Sequence, residues 1–167
     1  MENMNLKITV NDGRIKVPVL RESDGEEIGS FRFSPTDMGI VARFNEMVEE
    51  FGDVVKPLLD VWDDENAEEG KYAEALRESE TRLYETVDTL FNADGAAAAF
   101  FGNMSPFSPV DGKFYCEQVL QAVGAFINEQ FNAETAKFEK RTEETEKFEQ
   151  HVEKYTNRAT RRKAAKK

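Results

Sequence analysis

The stretch Phe31–Glu46, FRFSPTDMGIVARFNE, changes its hydrophobic period in the middle. Phe31 and Phe33 sit two residues apart, the period of a strand with one buried face. Beyond a polar corner, Val41, Phe44, Val48, Phe51, Val55, Leu58 and Trp62 recur at alternating spacings of three and four, which is an apolar stripe on a helix. The corner is Ser34-Pro35-Thr36-Asp37. Ser34 suits an N-cap, Pro35 the first helical position, and Asp37 a capping box that also complements the helix dipole. A helix N-terminus can bind an anion, but here Ser34 and Asp37 satisfy the free N–H groups and Asp37 repels phosphate. The corner therefore reads as a strand-to-helix joint.

Upstream of the joint the chain reads as strands. Leu6, Ile8 and Val10 alternate with polar residues, as do Ile15, Val17 and Val19. Asn11-Asp12-Gly13 between them is a hairpin signal, and Ser23-Asp24-Gly25 marks a second turn. Pro18 places its strand at an edge. The expectation is a three-stranded antiparallel meander over residues 5–33. Downstream, a first helix is expected over 35–62, kinked or broken near Asp53 by Pro57. An acidic DDENAEEG segment precedes a second helix over 67–93, with Tyr72, Leu76, Leu83, Val87 and Leu90 or Phe91 on its stripe. Gly95–Gly112 is an irregular apolar stretch with a short helix at Ala96–Phe101, and such loops are functional or packed down. A long helix over 113–153 is apolar in its first half. Its second half is dense in Glu and Lys with a thin stripe of Phe131, Phe138, Phe148, Val152 and Tyr155; it is expected to project or to pair with another helix. The fold class is α+β, mostly helical: a small sheet packed on a helical body, in one domain over 1–153 with a flexible basic tail over 154–167.

The 167 residues carry 22 Lys/Arg and 33 Asp/Glu, a formal net charge of −11. Lys154–Lys167 holds seven of the basic residues and none of the acidic ones, which leaves residues 1–153 at −18. An acidic body repels phosphates, so nucleic acid is not the expected partner. A single cysteine, Cys116, forms no intrachain disulfide, in keeping with a reducing compartment. MENMNLKITV lacks the features of a signal peptide, and no apolar run is long enough to span a membrane.

Catalytic and metal signatures do not assemble. The one histidine, His151, sits among Glu and Lys with no nucleophile motif beside it. Cys116 begins an apolar helix with nothing nearby to lower its pKa, and so reads as a buried residue. The acidic run Asp60–Glu69 fails the calcium-loop spacing, because Glu69 takes the glycine position and Ala75 the closing Glu. Walker, dinucleotide and zinc patterns are missing. No cofactor, metal or catalytic residue is expected.

Three passages together resemble the tail assembly chaperones of long-tailed phages and prophages of Gram-positive bacteria. They are FRFSPTDMGIVARFNEM with its Arg43-Phe44 pair, FFGNMSPFSPVDGKFYCEQVLQAV, and the basic ending YTNRATRRKAAKK. The resemblance implies a non-enzymatic protein of the host cytoplasm that coats the tape measure protein, recruits tail tube subunits and is not expected in the mature virion. In that family a ribosomal frameshift often extends the C-terminus. Partner-binding residues are then expected at Phe44, Met47, Val48 and Phe51 on the first helix, Phe107 in the loop, and Arg158, Arg161 and Arg162 in the tail. A homo-oligomer built through the charged helix fits the same reading, and the competing one is a tail or head–tail connector component of the virion.

Overall fold

The computed structural model describes residues 7–164, with side chains through Lys154 other than Thr142. Two strands, β1 (Ile15–Leu20) and β2 (Glu27–Phe33), are followed by α1 (Met38–Trp62), α2 (Glu69–Phe91), α3 (Ala96–Phe101), a short ribbon of β3 (Pro109–Val110) and β4 (Lys113–Phe114), and α4 (Tyr115–Ala164). The fold is mostly helical α+β. The chain divides into two compact units, Met1–Ile127 and Asn128–Lys167, and α4 supplies residues to both.

In the first unit β1 and β2 pair antiparallel, with Val17 opposite Phe31, Pro18 opposite Ser30, and a bulge between Val19 and Leu20. The sheet has two strands where three were expected. Residues 7–14 join no ladder, and Ile8 and Val10 are exposed. The reason lies in the turn residues. Asn11 Oδ1 accepts the Gly13 N–H and Asp12 Oδ1 the Arg14 N–H, so side chains of the turn take up backbone donors and bend the chain locally.

The joint also differs in detail. The Asp37 N–H donates to Ser34 O across the proline, and Asp37 is the N-cap, its carboxylate accepting the Gly39 N–H. Ser34-Pro35-Thr36 is thus a turn ahead of the helix. Pro prefers the second position of such a turn, and that pushes the cap three residues later. Once begun, α1 runs through Pro57 without a break; its packing face continues on both sides of the proline and holds it.

The order and linkage of α1 and α2 make them an antiparallel pair. Arg43 near the start of α1 reaches Leu90 at the end of α2, while Trp62 at the end of α1 lies edge-on to Tyr72 near the start of α2. Ile40, Met47, Val54, Val55 and Leu58 are buried on α1, and Ala75, Ser79, Leu83, Val87 and Leu90 on α2. α2 ends at Asn92 in the left-handed region, with the Ala93 N–H on Asp88 O. Asp88 then caps α3, accepting from the Ala97 and Gly95 N–H groups.

β2 closes the core. Phe31 and Phe33 project to one face and meet Phe91 at 4.8 and 4.9 Å, and Phe31 meets Phe100 at 5.3 Å. Pairs of this geometry contribute about 0.5–1.5 kcal/mol each beyond area burial. Two residues back on the same face, Gly29 brings the β2 backbone against the α3 backbone: a Cβ there would lie 2.5 Å from Ala99 O. The close approach requires glycine.

The Gly95–Gly112 stretch is packed down. Tyr84 Oη donates to Phe101 O, Tyr115 Oη to Phe100 O, the Cys116 N–H to Pro106 O and Gln118 Nε2 to Val110 O. Asp111 and Gly112, both at positive φ, form the two-residue turn of the ribbon. α4 continues to Ala164, into the stretch expected as a tail; 154–164 contains neither Gly nor Pro.

Candidate protein-interaction surface

α1 carries its core face one residue earlier than the spacing indicated. The buried residues are Ile40, Met47, Val54, Val55 and Leu58, with Phe44 and Phe51 half-buried beside them, so the expected stripe holds at Val55 and Leu58 and is displaced in the first half of the helix. One residue is about 100° around a helix, so Val41 and Val48 turn outward. Val48 is 58% exposed, and Val41, Leu59 and Trp62 also face solvent. Together they make an apolar flank along the outside of α1.

The expected partner-binding residues are divided by this rotation. Val48 lies on the exposed flank. Phe44 and Phe51 sit at its inner border, and Phe44 lies against Gly124 of α4, 3.5 Å from where a Cβ on that glycine would be. Met47 is 2% exposed and belongs to the core. Phe107 is 5% exposed, edge-on to Phe114 at 5.6 Å, and anchors the loop from inside. Arg158, Arg161 and Arg162 lie in the helical span of α4, with side chains outside the described residues.

A second apolar surface was not singled out from the sequence. A groove of about 810 Å³ runs between the end of β1, α3, the following loop and the first turns of α4. Leu20, Ile28, Phe100, Met104, Val110 and Val119 line it, with Arg21 and Glu22 at its rim. Leu20 and Met104 are exposed. Arg21 is held by Asp24 at 2.8 Å and Glu26 at 3.1 Å, which steadies the rim. The sequence signal for this groove was the apolar Gly95–Gly112 stretch itself.

Another cleft, of about 920 Å³, has a different character. Arg14, Arg32, Arg43, Asp88 and Asp94 line it, so its charges are mixed. Arg43 is committed: Nε donates to Leu90 O at 2.9 Å and Nη2 to Asp37 Oδ2 at 2.8 Å. The Arg43 bond to Asp37, with the Gly39 N–H, holds the Asp37 carboxyl below the usual carboxylate range. Asp88 is occupied by the α3 backbone. These groups brace helix ends to one another.

No family model, curated protein or solved structure matches the chain.

Among the described residues, no group of three or more His, Cys, Asp or Glu is placed to hold a metal ion. Cys116 is fully buried, and burial pushes its thiol up to about 12. It is neutral at physiological pH and is not a nucleophile there. No helix is long and apolar enough to cross a membrane among the residues described. What the first unit offers is apolar surface on an acidic body: a groove at one end of the sheet and a flank on α1.

Proposed function

We propose that this protein is a non-enzymatic chaperone of phage tail assembly. It binds the tape measure protein and helps to recruit tail tube subunits, working in the host cytoplasm and leaving before the virion is complete. The resemblance of the strand–helix joint, the loop and the basic ending motivates this reading. The observation that carries it is the groove lined by Leu20, Phe100, Met104, Val110 and Val119. An amphipathic helix lays its apolar face into such a groove, and Met104 supplies an adaptable wall. The −18 charge of residues 1–153 keeps a complex with an aggregation-prone client in solution.

Co-expression with the long helical protein encoded downstream tests the proposal. The client is expected to become soluble and to co-purify, and Leu20→Asp combined with Met104→Asp is expected to abolish the effect while the fold is kept. A client that stays insoluble and separate overturns the reading. A stoichiometric amount of this chain in purified particles would replace it with a role as a virion component.

A further inference from the structure

The second unit carries a pattern that the proposed client binding does not use. Phe131, Phe138, Thr145 and Val152 are spaced by sevens along α4, and Glu134, Arg141, Phe148 and Tyr155 follow each by three. These are the a and d positions of a heptad seam. Phe138 is 66% exposed and Phe148 68%, in a segment otherwise dense in charge. Five of the eight seam positions are apolar and three, Glu134, Arg141 and Thr145, are polar, a mixed seam of the kind that pairs with one other helix when its charges are matched.

We propose that residues 128–155 of α4 pair antiparallel with the same segment of a second copy of this chain, with Phe138 of each copy packed on Phe148 of the other. The inference is independent of the chaperone reading.

The charges select both the partner and the direction. In a parallel pair each d residue faces its own counterpart, which sets Glu134 against Glu134 and Arg141 against Arg141. In the antiparallel pair a and d positions share layers in which the two residue numbers sum to 286: Glu134 with Val152, Phe138 with Phe148, and Arg141 with Thr145. The g positions then come level with the d positions of the other copy. Glu144 meets Arg141, His151 meets Glu134, and Lys137 lies over Phe148. Both charged d residues gain a compatible neighbour, and the like pair that remains, Glu144 with Glu144 across the twofold axis, lies beside the seam, whereas the parallel arrangement places like charges within it. Glu134 holds Lys137 of its own helix at 2.7 Å, an exposed bond that is weak enough to rearrange.

Thiol cross-linking of the full chain tests direction, since Cys116 is buried and does not compete. Chains carrying Glu134→Cys or Val152→Cys are oxidised alone and mixed. The mixture is expected to give a cross-linked dimer and each chain alone to give none, because the like positions lie about 27 Å apart along an antiparallel pair. Cross-linking of each chain with itself overturns the direction. Sedimentation tests the surface: Phe138→Glu with Phe148→Glu is expected to raise the dimer dissociation constant roughly a hundredfold. A wild-type chain that remains monomeric, or a dimer unaffected by this double substitution, overturns the proposal.

Discussion

Gly29 and Gly52 turn one chemical change into opposite effects on stability. At Gly29 an added methyl would lie 2.5 Å from Ala99 O, 2.7 Å from Ala99 Cα and 2.9 Å from Ala99 C. Carbon contacts are comfortable at about 3.5–4.0 Å, so β2 and α3 must separate by roughly 1 Å. All three obstructing atoms are backbone, which no rotamer change relieves. The separation also loosens Phe31 and Phe33, two residues along the same face, from Phe91 and Phe100. Overpacking of this kind costs about 1–3 kcal/mol, and the rigid obstruction places Gly29→Ala near the upper end, about 3 kcal/mol. At roughly 3 °C per kcal/mol for a chain of this size, Tm falls by about 9 °C. Gly52 lies inside α1, is exposed, and has nothing within 4 Å of an added Cβ. Gly52→Ala gains helix propensity of about 1 kcal/mol and raises Tm by about 3 °C. Thermal unfolding followed by circular dichroism measures both. A Gly29→Ala protein that melts within a degree of wild type would refute the close approach of β2 to α3.

Arg43→Met removes the bonds to Leu90 O and Asp37, with an expected loss of about 2 kcal/mol in urea unfolding. Because Asp37 titrates below its ordinary value in the fold, its stabilising contribution is in place above a pH of about 4 and fades as the pH falls through the folded-state value. The variant should therefore lose less stability on acidification than wild type. Ser79 is fully buried on α2 and its Oγ has no hydrogen-bond partner, so Ser79→Ala is expected to raise stability by about 1 kcal/mol; a drop of that size would show a bonded hydroxyl. Val48→Glu, on the exposed flank of α1, should change stability by no more than about 0.5 kcal/mol. If the flank contacts the client, the same change weakens co-purification about tenfold, and unaltered recovery would remove the flank from the interface.

The helices were legible because their apolar spacing is local. The second was expected over 67–93 and lies at Glu69–Phe91, and the short helix at Ala96–Phe101 falls where it was expected. The rotation of α1 was not legible. Ile40-Phe44-Met47-Phe51-Val54-Leu58 and Val41-Phe44-Val48-Phe51-Val55-Leu58 both follow alternating spacings of three and four, and they share Phe44, Phe51 and Leu58. Which edge of so wide an apolar arc is buried depends on where α2 docks, and docking is tertiary. The same rotation moved Met47 into the core and left Val48 outside. The cap was ambiguous for a related reason: Ser34 and Asp37 are both good caps, and the turn through Pro35 decides between them. Leu6, Ile8 and Val10 have strand alternation, but Asn11 and Asp12 use their own side chains to bend the chain. The groove draws its walls from residues as far apart as Leu20 and Val119, a proximity that no sequence window contains.

Pro18 has a consequence for the life of this protein in a crowded cell. β1 is the outer strand of a two-stranded sheet, and an outer strand is a template onto which any passing extended chain can crystallise. The β1–β2 ladder runs through Pro18 in register with Ser30, which a proline permits only where its ring nitrogen faces away from the neighbouring strand. The missing donor therefore falls on the open side. Just beyond it, β2 carries an extra residue, Ile28, between the partners of Val19 and Leu20, and this bulge increases the local twist of the pair. A misfolded neighbour seeking a straight, fully donating edge meets a gap and then a more strongly twisted pair. The outer edge of β1 is thereby made a poorer template for sheet extension by its own covalent structure.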